Sequence, residues 1–143
     1  MIAIMTAIAG PAAAADNETR VIDGGRIAVV GIDHVLYGIS APEPGMRCRL
    51  RGRMRDCGRI ARAGLMDLTA GGQVACAPAP AHPGKSLCRS DGYDLSEGMV
   101  HTGWARAAPD APRYLEDLMI VACRHGRGLW NDGTPGAGCP SRK

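Results

Sequence analysis

Phenylalanine is absent from this chain of 143 residues, and two tryptophans and three tyrosines supply its only phenol and indole rings. A hydrophobic core must therefore be built from Leu, Ile, Val, Met and Ala. Stacking of many bases on aromatic platforms is excluded as a major means of binding nucleic acid. No apolar run is long enough to span a bilayer. No C-x-x-C pair occurs, and His34, His82, His101 and His125 show no ligand spacing, which argues against the usual zinc scaffolds. Neither sign of charge dominates. The formal net charge of +3 is too small to imply a polyanionic partner by itself. No internal repeat is present.

What remains is enough for one domain with a single core. Met1 to Ala15 is apolar and small, with Ile2, Ile4, Met5 and Ile8 as a short hydrophobic region and Ala12-Ala13-Ala14 as an A-x-A site. It reads as a signal peptide, residues 1–15, ahead of one domain, residues 16–143, and places the protein outside the cytoplasm, secreted or periplasmic. Six cysteines agree with disulfides in an exported protein, although sequence alone leaves roughly fifteen pairings open.

Two stretches carry the organisation of the chain. Val21-Ile22-Asp23-Gly24-Gly25-Arg26-Ile27-Ala28-Val29 reads as a hairpin about a Gly-Gly turn. Gly31–His34 is expected to be a second turn. Val35 to Ile39 then reads as a third strand, stopped by Ala41-Pro42 because proline donates no backbone hydrogen. Glu43 is left displayed at the strand's end. Further on, apolar spacing predicts a helix over Cys57–Thr69, strands over Gln73–Ala77 and Ser86–Arg89, and helices over Asp94–Thr102 and Arg113–His125. Residues 43–56 read as a loop. In it Arg47, Arg49, Arg51, Arg53 and Arg55 fall at every second position. An extended backbone would project all five guanidinium groups from one face, as a ridge able to bind phosphate or another anion bidentately. The plainer reading is a solvated charged loop.

In order and spacing these two stretches resemble the thermonuclease family, the staphylococcal-nuclease-like enzymes. In that family the hairpin reads roughly V-x-D-G-D-T and the later strand R-L-x-G-I-D-A-P-E. The resemblance continues through Cys57-Gly58, Asp94-Leu95, Met99-Val100, Gly103-Trp104-Ala105 and Gly128-Leu129-Trp130. It implies a mainly β, α+β fold, a five-stranded OB barrel with about three packed helices. That fold favours the pairings Cys48–Cys57, Cys76–Cys88 and Cys123–Cys139. It also implies calcium-assisted cleavage of phosphodiesters, with Glu43 in the place of the general base, Asp23 beside the metal, and Lys85 nearest to the second phosphate-binding arginine.

The departures from the family pattern bear directly on that chemistry. Gly25 and Ser40 stand where the family has its two calcium aspartates, Arg26 replaces the turn threonine, and Val35 replaces the arginine that clamps the scissile phosphate. An Arg26–Glu43 ion pair is one expected reuse of the emptied site. The resulting expectation is a secreted nuclease-like domain, impaired or inactive as a catalyst, without a resident cofactor. It would act as a binding or structural module, for nucleic acid or another polyanion through the arginines, or for an envelope protein partner. The alternative is an active phosphodiesterase with an altered calcium site.

Overall fold

The computed structural model describes residue 10, residues 18–132, residue 136 and residues 138–141. Apart from Gly10, the expected signal peptide lies outside the described residues. The first hairpin forms where its turn residues place it. Strand β1 (Thr19–Asp23) pairs antiparallel with β2 (Arg26–Val29), with Val21 opposite Ile27. Its turn lies close to the first helix: a Cβ on Gly24 would sit 2.9 Å from the Ala61 methyl.

The next turn comes earlier than expected. Val30 and Gly31, at φ 50° and 75°, close a two-residue connection to β3 (Ile32–Val35). Such turns match the twist of the strands they join, and here that preference outweighs the steric cost of a left-handed branched residue. The expected strand from Val35 to Ile39 does not run through. Val35 ends β3, Leu36 makes one isolated parallel bridge to Ser86, and Gly38 turns the chain at φ 82°. Strand β4 (Ile39–Ser40) then pairs with Arg106–Ala107, the tenth strand. Ser96 holds this corner, donating its hydroxyl to the Tyr37 carbonyl at 2.8 Å.

Of the expected loop over residues 43–56, only the first four residues stay irregular. Strands β5 (Arg47–Leu50) and β6 (Arg53–Asp56) form a hairpin about Arg51-Gly52, with φ of 50° and 76°. Helix α1 (Cys57–Thr69) follows at once, capped by Asp56, whose carboxylate accepts from the Arg59 amide at 2.9 Å. Strands β7 (Val74–Pro78), β8 (Ser86–Ser90) and β9 (Tyr93–Asp94) make a meander. Asp94 caps α2 (Leu95–His101) through the Glu97 amide. After β10 (Arg106–Ala107) come α3 (Arg113–Arg124) and a 3-10 turn, Gly128–Trp130.

This arrangement corrects the expected five-stranded barrel. The described residues form ten strands in four small separate sheets, none closed on itself, together with three α-helices: a mixed α/β fold. The physical cause is local. The break at Leu36–Gly38 diverts the chain from β3 to a different partner, and strands of two to five residues leave no ladder long enough to close. The helices do the covering instead. Ala61 and Leu65 of α1, Leu95, Met99 and Val100 of α2, and Leu115 of α3 meet Ile27, Leu36 and Val74 in one core. Burial of each Leu or Met contributes about 1.5–3 kcal/mol.

All three disulfides join the pairs that the resemblance favours. Cys48–Cys57 ties β5 to the start of α1, Cys76–Cys88 bridges directly opposite residues of β7 and β8, and Cys123–Cys139 ties α3 to the tail. They are consistent with an oxidising environment. Among the described residues no helix is long and apolar enough to cross a membrane.

Candidate functional site

The β1–β2 turn and the β4 corner face each other across a cavity of about 190 Å³. Asp23, Gly25 and Arg26 line it from the turn, Val35 from β3, and Ser40 and Glu43 from β4 and the segment after it. Residues far apart in sequence are brought together because the Leu36 amide donates to the Gly25 carbonyl at 2.9 Å, fastening the chain after β3 onto the first turn. At the opposite wall the start of α1 presses on the Glu43 backbone. A Cβ at Gly58 would run into the Glu43 carbonyl, so a glycine is needed there for the two segments to approach.

Asp23 is buried and fully engaged. Its Oδ1 accepts from the Gly25 amide at 2.8 Å, and its Oδ2 accepts from Arg26 Nε at 2.7 Å. The hydrogen bond to Asp23 and then the charge of that carboxylate hold the Arg26 guanidinium protonated even more firmly than usual, with smaller contributions from Asp33 and Glu43. The expected Arg26–Glu43 pair is therefore corrected: Arg26 pairs with Asp23. Asp23 lies on the same tight turn, three residues away, whereas Glu43 is exposed on the far wall.

A calcium ion takes roughly six to eight oxygen ligands. The cavity offers two carboxylates and one hydroxyl among its side chains, and a guanidinium already sits on one of those carboxylates. Gly25 contributes no carboxylate and Ser40 no charge. The residues present do not fit a calcium site. What they can do is present one cation and one free carboxylate on either side of a shallow, partly apolar cavity.

Lys85 does not line this cavity. It is exposed in the turn before β8, where its amide donates to the His82 carbonyl and its carbonyl accepts from the Ala79 amide. The five arginines are not the single ridge expected. Across the two-residue turn Arg47 pairs with Asp56, Arg49 with Met54, Leu50 with Arg53 and Cys48 with Arg55. Paired residues share a face, so Arg47 and Arg49 lie on one face, Arg53 and Arg55 on the other, and Arg51 at the tip. All five are exposed. A continuous extended strand would have kept them together, and the turn moves the odd-numbered positions across.

Sequence reasoning missed two features. Arg106 lies over the Trp130 ring, its guanidinium carbon 4.4 Å from the centroid, beside a second cavity of about 210 Å³ that shares Ser40 and Ala41 with the first. Nothing in the local sequence marks that pairing. His34 lies beside the Cys76–Cys88 bridge, with its Nδ1 2.9 Å from Ser86 Oγ. The ring and the two sulfurs are close enough to share an ion, but bridged sulfurs offer no thiolate to a metal.

No family model matches the chain, and no curated protein matches it.

Proposed function

We propose that this is a secreted, nuclease-like domain that has lost phosphodiester hydrolysis and serves as a binding module for an anionic ligand. One observation carries the proposal: Arg26 Nε lies 2.7 Å from Asp23 in a cavity also lined by Gly25, Val35 and Ser40. In the thermonuclease arrangement that the motifs resemble, a metal and two arginines offset the phosphate's charge while a carboxylate activates water. Here the carboxylate nearest the metal's place is neutralised by an arginine of the same turn. Val35 supplies neither charge nor hydrogen bond where the main phosphate clamp would stand. Losing a single charge-stabilising donor typically costs roughly 3–4 kcal/mol of transition-state stabilisation. Losing a cation and a clamp together takes the barrier out of reach of Glu43 alone.

The exposed guanidinium groups supply the binding half of the proposal. Arg47, Arg49, Arg51, Arg53 and Arg55 crowd on one hairpin, and Asp56, the only acid on those strands, caps α1. A polyanion such as nucleic acid is the simplest partner for such a hairpin, and an acidic patch on an envelope protein is the second.

The alternative, an active phosphodiesterase, is favoured only by Asp23 and Glu43 lining one cavity. A single assay separates the two. Purified protein with calcium is expected to leave single-stranded DNA and RNA uncut, to the level of a Glu43→Ala control. Calcium-dependent cleavage that Glu43→Ala abolishes would establish the active reading and sink the other.

A further inference from the structure

The inner side of the β5–β6 hairpin, where it lies over the body of the protein, borders a third cavity of about 260 Å³. Arg51 and Arg55 line it from the hairpin, Ile60 from α1, Trp104 from the loop after α2, and Asn131 from the tail. Among the described residues both cations are free of carboxylate partners, because no acidic residue lines the cavity and neither arginine forms a salt bridge. Apart from Asn131, the rest of the lining is apolar.

The walls are held by the fold rather than by a ligand. The Arg51 amide donates to the Asn131 carbonyl at 2.8 Å, which ties the hairpin's tip to the tail. Cys48–Cys57 ties its base to α1. Trp104 is set by Gly64 of α1, where a Cβ would lie 2.5 Å from the indole Cδ1. The half-buried ring is thus seated against the helix and also borders the cavity. A fixed indole, a branched apolar wall and two unpaired guanidinium groups make a matched set. The ring and Ile60 take a flat apolar group, and the arginines take an anionic group bidentately.

We propose that this cavity binds a small aromatic anion, a single flat ring carrying one phosphate or carboxylate. Its size sets the limit. Pockets for drug-sized ligands run from about 300 to 1,000 Å³, so this one accommodates a ring and its charged group and little more. The proposal extends the anion-binding reading to a defined ligand class, at residues distinct from the Asp23–Glu43 cavity.

The test is a titration of the oxidised full chain with phenyl phosphate and with benzoate, followed by the two indole N–H resonances. The Trp104 resonance, assigned with Trp104→Phe, is expected to shift saturably while that of Trp130 stays in place. Arg51→Ala and Arg55→Ala are each expected to weaken binding about tenfold, as loss of a hydrogen bond to a charged group would. Inorganic phosphate and phenol should each bind at least about tenfold more weakly than phenyl phosphate. The double variant Arg47→Ala/Arg49→Ala, on the other face of the hairpin, should bind as the unaltered protein does. A preference for phenyl phosphate or for benzoate identifies which anionic group the arginines take. Equal losses in the Arg47/Arg49 and Arg51/Arg55 variants, or shifts as large with inorganic phosphate alone, would reduce the effect to diffuse charge and overturn the proposal. So would the absence of any Trp104 shift in protein whose remaining spectrum is that of the folded chain. Either result leaves the nuclease assay untouched, so the two conclusions fail separately.

Discussion

At the scale of single residues, Asp23 and Arg26 differ in what they hold. Arg26 is half exposed, and its ion pair with Asp23 is partly in water. Pairs of that kind contribute little to stability. Asp23 also accepts the Gly25 amide, and that bond closes the turn from which the cavity is built. Asp23→Ala leaves a partly buried backbone donor without its acceptor, at a cost of about 1–3 kcal/mol. Asp23→Asn keeps an oxygen for that amide, and loses the charge and the bond from the exposed Arg26. The expected order of thermal midpoints is therefore Asp23→Ala below Asp23→Asn, with Arg26→Ala close to the unaltered protein. Addition of calcium is expected to leave each midpoint where it was, since the carboxylate serves the turn. A calcium-dependent rise that Asp23→Ala removes would show that the aspartate still serves a metal.

At the scale of elements, the β5–β6 hairpin decides how the arginines can act. A flat polyanion can meet only one face of a two-stranded ribbon at a time, together with its tip. Arg47 and Arg49 occupy the outer face beside Met54, which is also exposed. The inner face is turned toward the body through buried Leu50. Retention on heparin or on duplex DNA is therefore expected to fall more for Arg47→Ala/Arg49→Ala than for Arg53→Ala/Arg55→Ala, read as the salt concentration of elution. Equal shifts would mean that the five charges act as a cloud, and no shift would remove the hairpin from binding altogether. The same hairpin shows where sequence legibility ends. Helix α1 was readable to the residue, because Ala61, Gly64 and Leu65 recur at helical spacing and Arg59, Arg62 and Asp67 fall outside it. The hairpin was not, because a run of alternating arginines has no apolar face to set its register. Its turn rests on Arg51 in a left-handed conformation that arginine does not advertise. The break at Leu36–Gly38 was hidden for the opposite reason: Val35, Leu36, Tyr37 and Ile39 all suit a strand, and the Gly38 turn and the tertiary partners Ser86 and Arg106–Ala107 divide them. At the candidate site the grouping of Asp23, Arg26 and Glu43 was legible through the motifs. The partner that Arg26 takes was not, since it depends on the geometry of a turn.

At the scale of the whole molecule, the lack of phenylalanine and the division into four small sheets put unusual weight on the cross-links. The main core is made of modest side chains, a second small cluster gathers Ala122, Cys123 and Trp130, and each sheet has at most three strands. The disulfides close separations of 9, 12 and 16 residues and fasten different parts: the arginine hairpin to α1, the β7–β8 pair to itself, and α3 to the tail. Loops of this length each contribute about 2–4 kcal/mol, chiefly by restricting the unfolded chain. Three such links approach the full stability of an ordinary domain, about 5–15 kcal/mol. Replacing both cysteines of any one pair by alanine should therefore lower the unfolding free energy by about 2–4 kcal/mol without abolishing the fold. Full reduction should leave the chain largely unfolded at 37 °C, which urea denaturation followed by circular dichroism, with and without reductant, measures directly. Equal midpoints in the two conditions would show that the apolar core holds alone. The Cys48–Cys57 variant carries a second expectation, because that link fixes the base of the hairpin against α1. Its loss should release Arg55 from the wall it shares with Ile60 and Trp104, and weaken phenyl phosphate binding well beyond any effect of the Cys123–Cys139 variant at matched stability.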